Sequence, residues 1–322
     1  MGKTHRITYA MRHIQDNGLP LQPVFVVSSD ITDRSGFERL HFPMINNLGV
    51  GEMHAIVKQF VQKYDEHHKI WSELAHSEDV IKAVRNLGNT NASNRLAAWK
   101  WLTGLELSGK EKEPGQAGVT KDQIDSSVEF AEVLRALSLI VQHEKKRRLI
   151  YFIDQVERLG NLTNANAQHT WVETLRAVLD MSEIGIVLAI GASRLDQLPA
   201  VVLAPEVASR IGKEGYEHYR IDAYKEDQAA RFLKDLFKEW VDPDIRDPLA
   251  TAEGWASSEY DPEYYPFTVP AFTVFCKNVT HDPRDAKPRA FLEKLNNVAA
   301  DACMENRRII DKALLLRLGF GD

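Results

Sequence analysis

The stretch Leu149-Ile-Tyr-Phe-Ile-Asp154-Gln155 places an acidic residue directly after an unbroken run of apolar and aromatic residues. A run without polar alternation is typical of a parallel strand covered by helices on both faces. The segment Gly185–Gly191 has the same character, and the shorter Pro23–Ser28 and weaker Glu217–Ile221 are also rich in β-branched or aromatic residues. We therefore predict four strands of a parallel sheet.

Helical patterns lie before and between these runs. They cover Thr4–Gln15, Glu52–His67, Glu129–Glu144 and Ala165–Met181. In the third pattern, apolar residues recur at helical spacing, as expected of a helix with one buried face. Strands alternating with helices predict an α/β fold with right-handed crossovers, whose ligand binds at the carboxyl ends of the strands.

The regular alternation is interrupted between residues 69 and 128. This segment contains short helical pieces, including Arg95–Leu102 with Trp99 and Trp101, and we interpret it as an insertion ending in a surface loop. The two tryptophans are two positions apart on a helix, so we expect one inside and the other towards a partner. After residue 222 the strand signal fades. We predict an α/β domain over 1–222 and an all-helical domain over 223–322.

Composition narrows the class of protein. The chain has 322 residues, 27% of them charged, and a formal net charge of −6, which excludes a globally basic nucleic-acid coat but not a local basic patch. It has two cysteines and no histidines at metal-ligand spacing, so a metal site other than one for magnesium is not expected. No apolar run is long enough to span a bilayer and no signal peptide is evident. These features predict a cytoplasmic protein with no membrane partner.

The tripeptide Gly2-Lys3-Thr4, followed by His5, opens the first helical pattern. It matches the second half of the phosphate loop, in which glycine admits the phosphates, lysine reaches them and threonine offers a hydroxyl to magnesium. Alone, so short a motif also fits an ordinary N-terminal tail. A second signal agrees with it: Asp154 at the end of its strand suits a magnesium-positioning carboxylate, although a loop-capping aspartate is the simpler alternative.

Two further positions fit phosphate chemistry. Ser193 follows the strand Gly185–Gly191 and is a candidate for orienting water beside a phosphate. Arg210 ends the short pattern Pro205–Gly212 and is a candidate for an arginine finger that reaches a neighbouring subunit. A turn serine and a surface arginine are the simpler interpretations of these two residues.

The order of these parts resembles the AAA+ ATPases, specifically their initiator-like, origin-recognition-type branch. Segments Phe152–Leu159, Gly191–Leu195 and Val207–Arg210 look like the Walker B, sensor 1 and arginine-finger boxes of that branch. Lys287–Leu295 looks like its sensor 2 helix. The resemblance implies a P-loop NTPase sheet flanked by helices, a C-terminal helical lid, and ATP and Mg²⁺ as cofactors. It also implies that Arg289 contacts the nucleotide from the lid.

The segment Ala97–Gly104 is similar to a stretch in bacterial ATP-binding proteins of BREX-type phage-defence islands. The two resemblances together imply ATP-dependent homo-oligomers that act on DNA or recruit an effector protein, in antiviral defence. Transposon target-selection ATPases show much the same motifs, so transposition is an equally open role.

One departure from the family concerns the residue after Asp154. AAA+ proteins place a glutamate there to polarise water, whereas this chain has Gln155, whose amide cannot serve as a general base. The glutamine is either natural or a deliberate replacement, and hydrolysis is expected to be very slow or absent. Glu157 lies two residues further on, and we expect it to point away from the site.

A second departure is that the sequence begins at Met1, where the fifth position of a phosphate loop would stand. The family's first strand and opening glycines have no counterpart, so we expect weakened nucleotide affinity. A non-catalytic scaffold with the same fold is therefore the alternative to an ATP-driven switch. A small-molecule kinase fits less well, since it leaves the helical domain and the Ser193 and Arg210 boxes unexplained.

Overall fold

A computed structural model describes residues 3–28, 31–34, 36–112, 116–192, 197–211, 223–244, 246, 259–282 and 286–321. These residues divide into two compact units, one within 3–211 and one within 223–321. Each unit has its own hydrophobic core. The first is mixed α/β, with a small parallel sheet flanked by helices, and the second is helical in its described part.

The sheet has three described strands, β1 (Leu21–Val27), β2 (Arg148–Asp154) and β3 (Ile184–Leu188). Their order is β1-β2-β3 and both pairings are parallel, with Val27 opposite Asp154 and Ile153 opposite Leu188. Three of the four expected strands are thus confirmed. The fourth, Glu217–Ile221, lies outside the described residues.

Helix α1 (Lys3–Asp16) covers one face of this sheet. Its buried Ile7 and Ile14 pack with Phe152 of β2 in a separate apolar cluster. The helix ends at Asp16, and Gly18, two residues further on, has a φ of 58° in the left-handed region. Leu19 N–H then bonds to the Ile14 carbonyl at 3.0 Å, the bond of a Schellman C-cap. This reversal runs the chain back into β1, so the start of α1 lies at the carboxyl edge of the sheet.

The main core covers the opposite face, where β2 contributes Leu149, Tyr151 and Ile153. The helices between β1 and β2 are α2 (Glu38–Asn46), α3 (Val50–Lys63), α4 (Ile70–Leu74), α5 (Glu78–Leu87), α6 (Ala92–Leu102) and α7 (Ser127–Lys145). The sequence analysis predicts no helix at α2, which contains Pro43. The others confirm the expected pattern, with ends shifted by a few residues.

The inserted segment 69–128 is part of the main core rather than an appendage. Trp99 and Trp101 are both buried, so the expectation that one of them faces outwards is wrong. The reason is that α6 is covered on more than one side: it packs against α5, while the Trp101 indole N–H donates to the Lys121 carbonyl at 3.0 Å. Two aromatic side chains two positions apart can then both be buried.

After β2, a 3₁₀ turn (Val156–Asn161) leads to α8 (Ala165–Leu179) and β3. Short helices α9 (Ala200–Leu203) and α10 (Pro205–Ile211) follow β3 and pack against α8. The second unit contains the helices Glu226–Trp240, Val269–His281, Pro288–Met304 and Lys312–Arg317.

The sequence pattern predicts the last of these helices over Glu305–Leu318, whereas the helix starts at Lys312, seven residues later. Asn306 adopts a φ of 53°, and Ile310 bridges to Phe267, so this stretch is not helical. The Asp311 carboxylate then caps the new helix by accepting from Leu314 N–H at 2.7 Å. Within the described ranges, none of the helices combines the length and apolar character needed to cross a bilayer.

Candidate functional site

The carboxyl edge of the sheet brings together residues that are about 150 positions apart in the chain. The first turn of α1 supplies Lys3 and Thr4, and the end of β2 supplies Asp154. Because α1 runs antiparallel to the strands, its first backbone N–H groups, which lack intrahelical acceptors, lie at the edge where the strands end. An anion at such a helix start is stabilised by these N–H groups and by the helix dipole.

Thr4 and Asp154 are in direct contact. The threonine hydroxyl donates to Asp154 Oδ2 at 2.5 Å, and the other carboxylate oxygen accepts the Gln155 backbone N–H at 2.8 Å. Asp154 is only 2% exposed. Both oxygens are therefore held in fixed directions, with one of them beside the Thr4 hydroxyl.

Lys3 forms an ion pair with Glu157. Its Nζ atom lies 2.7 Å from Glu157 Oε1, while Glu157 Oε2 accepts the Gly191 backbone N–H at 2.8 Å. The two side chains remain 28% and 37% exposed, so solvent and solutes reach this pair. A Cβ atom built on Gly191 would lie 2.6 Å from both Lys3 Nζ and Glu157 Oε1, so the glycine leaves room for the contact.

The expectation that Glu157 points away from the site is wrong, and the local backbone explains why. Gln155 has φ 62° and ψ 34°, in the left-handed region, which turns the chain after β2 directly into the 3₁₀ turn. The turn therefore returns Glu157 to the edge where Asp154 ends β2.

The environment keeps Glu157 ionised. Partial burial raises the pKa of its carboxyl, but the bonds from Lys3 and from the backbone N–H groups of Glu157 and Gly191 outweigh burial. The net result is a pKa below the usual value for glutamate. The carboxylate is consequently an anion at neutral pH, held by one cation and one backbone donor of the kind that bind phosphate oxygens.

These residues fit magnesium and phosphate chemically. A threonine hydroxyl and a carboxylate oxygen are hard oxygen ligands, and Mg²⁺ sites that include substrate phosphates need only one or two of them. Among the described residues, no group of three or more His, Cys, Asp and Glu side chains could hold a metal on its own. A magnesium ion here would take the rest of its coordination from phosphate oxygens and water.

The remaining predicted site residues are distributed as follows. Gly2 and Ser193 lie outside the described residues. His5 is exposed in the first turn of α1. Arg289 lies near the start of the helix Pro288–Met304 in the second unit, and its side chain is not among the described parts.

Arg210 ends α10 and is paired within its own chain. Its Nη2 atom lies 2.9 Å from Asp180 Oδ2, and its Nε atom contacts the other oxygen of that carboxylate. Asp180 follows α8 and precedes β3, at the amino edge of the sheet. Arg210 therefore does not join Lys3 and Asp154 in the site of its own chain, and contact with a neighbouring subunit would require the bidentate pair with Asp180 to open.

The comparisons with known proteins identify no relative. No protein-family model, no curated protein and no solved structure matches the chain. The function of the chain is therefore inferred from the arrangement of Lys3, Thr4, Asp154 and Glu157.

Proposed function

We propose that the first unit is a magnesium–nucleotide binding domain of the AAA+ type that works as an ATP-dependent switch. In this proposal Lys3 and the start of α1 bind phosphate oxygens, and Thr4 and Asp154 hold Mg²⁺. Arg210 acts on the nucleotide of a neighbouring subunit, and Arg289 acts from the helical lid. The nucleotide joins subunits of a homo-oligomer, which acts on DNA or recruits an effector, and phage defence is the proposed setting.

The observation that carries the proposal is the contact between Thr4 and Asp154. A hydroxyl from a helix start and a carboxylate from a strand end meet at 2.5 Å across 150 residues of sequence. Lysine stands directly before the threonine, as phosphate binding requires. The parallel sheet, with the helix start at its carboxyl edge, supports the same proposal, because α/β folds bind ligands there.

Hydrolysis is proposed to be very slow. Bound magnesium would supply charge neutralisation to the phosphates. Attack by water also needs a group that accepts a proton, and the amide of Gln155 cannot do so. Binding and assembly, rather than rapid turnover, are therefore the proposed output.

The test is a titration of the full chain with Mg–ATP by calorimetry, with molar mass followed by light scattering. We expect saturable binding with a rise in mass. Lys3→Ala and Asp154→Ala should each weaken binding at least tenfold, because each removes a charge-assisted contact. Lys69→Ala removes an exposed lysine from the edge of α4 and serves as the matched control. Absence of binding at millimolar Mg–ATP would refute the proposal.

A non-catalytic scaffold is the second candidate, and a specific observation favours it. Lys3 and Thr4 each already have a side-chain partner in the same chain, Glu157 and Asp154, so the contacts of this edge form without a ligand. Gln155→Glu separates the two candidates. Phosphate release by this variant would support an ATPase in which only the general base is lacking. No phosphate release, together with unchanged folding, would support the scaffold.

A further inference from the structure

The Glu157 carboxylate occupies Lys3, which the proposed site offers to phosphate, and also the neighbouring Gly191 N–H. We infer that Glu157 is an internal competitor, which holds Lys3 and the Gly191 N–H until a magnesium-bound polyphosphate displaces it. The inference rests on the proposed function and adds a specificity-determining residue to it. Ligands with two or more phosphates would displace this carboxylate, whereas monophosphate would not.

The geometry of the contact supports this role. Each Glu157 oxygen takes one donor, Lys3 Nζ at 2.7 Å and Gly191 N–H at 2.8 Å. A phosphate group presents oxygens to the same pair of donors in the same way. Lysine is a flexible point charge that can turn to a new anion without movement of the backbone. The exchange requires only rotation of the Glu157 side chain.

The two carboxylates of the edge differ in how firmly they are held. Asp154 is buried and bonded to its own neighbour's backbone N–H, so it stays in place. Glu157 is more than a third exposed and can be solvated when it leaves. Only Glu157 is thus suited to exchange with a ligand, while Asp154 is suited to remain as a magnesium ligand.

The negative charge of Glu157 also determines which ligands can displace it. An exposed ion pair is worth little, so a ligand with enough charge can replace it. A singly or doubly charged monophosphate gains little over the carboxylate it displaces. Pyrophosphate with Mg²⁺ gains further contacts at Thr4, Asp154 and the start of α1, and we expect it to be preferred.

The binding test uses the full chain with Mg–pyrophosphate and Mg–ATP as probes in calorimetric titrations. Glu157→Gln keeps the size of the side chain but removes its charge, and we expect three- to tenfold tighter binding of both probes. Glu73→Gln makes the same charge change on the exposed surface of α4 and should leave binding unchanged. In a Lys3→Met background, Glu157→Gln should change binding by less than twofold, because the two residues act through one contact.

The outcomes separate the inference from the function on which it rests. If wild type binds and Glu157→Gln binds equally or more weakly, the inference is overturned while nucleotide binding stands. If neither protein binds either probe, the proposed function itself fails. Tighter binding that persists in the Lys3→Met background would also overturn the inference, since it would show a general charge effect.

A measurement without ligand guards against a misfolded variant. Amine labelling of intact protein, read by mass spectrometry, should be faster at Lys3 in Glu157→Gln than in wild type, because the amine loses its partner. Lys69 provides an internal reference and should label at the same rate in both proteins. Equal labelling at Lys3 would overturn the inference, and a changed rate at Lys69 would reveal altered folding instead.

Discussion

Two groups of carboxylates in the first unit show how similar side chains can serve different purposes. At the insertion, Glu132 of α7 accepts the N–H groups of the inserted residues His76 and Ser77 at 3.0 and 2.9 Å, and Asp79 of α5 accepts Thr120 N–H at 2.9 Å. At the sheet edge, by contrast, Asp154 and Glu157 each accept one bond from a side chain of the distant helix α1 and one from a backbone N–H. We call these groups the insertion carboxylates (Asp79 and Glu132) and the edge carboxylates (Asp154 and Glu157).

The difference lies in what can replace each contact. The backbone N–H groups beside an insertion carboxylate are held in place by the chain, so loss of the carboxylate removes the acceptor that they have in the fold. The donors of Lys3 and Thr4, by contrast, are on side chains that can rotate and bind water, a metal ion or phosphate instead. The insertion carboxylates therefore stabilise the fold, and the edge carboxylates leave donors that a ligand can use. Perturbing the first group should change folding, and perturbing the second should change binding.

The largest effect on folding is expected from acid, through a buried residue beside the insertion. His41 is fully buried on α2 and bonds to the Leu102 carbonyl of α6 at 2.8 Å, and burial lowers its pKa to about 4. A histidine in the unfolded chain titrates near pH 6.5. The contribution of neutral His41 to the free energy of unfolding is therefore complete above that pH and is lost as the pH falls towards 4. We expect the free energy of unfolding to decrease by about 3 kcal/mol between pH 7 and 4.

Urea unfolding at several pH values measures this loss. His41→Gln retains an amide that can donate to the same carbonyl but does not titrate in this range. The difference between the two proteins isolates His41 from the carboxyl groups. The prediction would be contradicted if the free energy of unfolding varied with pH in the same way in wild type and variant.

The next prediction compares the two groups of carboxylates by making the same change, glutamate to glutamine, at Glu132 and at Glu157. Glu132→Gln replaces an oxygen with an NH₂ group that cannot accept the second backbone N–H, and we expect a loss of about 2–3 kcal/mol in unfolding free energy. Glu157→Gln breaks an exposed ion pair, and we expect a loss of about 1 kcal/mol or less. Urea denaturation of both variants measures the ratio. Equal losses would remove the distinction between the two groups of carboxylates.

The smallest effect on folding is expected at Gly191. A methyl group there meets only the far ends of Lys3 and Glu157, which are flexible. We expect Gly191→Ala to change the unfolding free energy by about 0.5 kcal/mol or less, as for most surface substitutions. It should still alter Mg–pyrophosphate affinity several-fold, because it pushes the ion pair aside. A large loss of unfolding free energy with unaltered Mg–pyrophosphate affinity would contradict the prediction, because it would show that Gly191 stabilises the fold and does not affect the site.

Much of the sheet was predictable from local sequence. β2 contains the whole apolar run Leu149–Ile153 and extends one residue beyond each end of it, because a fully covered parallel strand needs uninterrupted apolar residues. The proximity of Lys3, Thr4 and Asp154 also follows from a helix start and a strand end at one edge. The chemistry of the nucleotide, the partners and the oligomer stays a prediction.

Other features depend on tertiary structure and left no local signal. Glu157 joins the edge because Gln155 adopts a left-handed conformation, which its residue type does not indicate. The burial of both Trp99 and Trp101 results from covering α6 on more than one side, which periodicity alone does not reveal. Glu132 reads as an ordinary helical glutamate until the N–H groups of His76 and Ser77 are placed beside it.

The parallel pairing of β1 with β2 has a consequence for how the chain folds. Val27 and Asp154 are neighbours across the sheet, yet all the helices from α2 to α7 separate them in sequence. Closing so long a loop costs entropy before the pairing stabilises anything, so such non-local contacts form late. The Thr4–Asp154 contact spans still more of the chain. We therefore expect the edge to form after the insertion, so that Thr4 and Asp154 come together only when the first unit is completely folded.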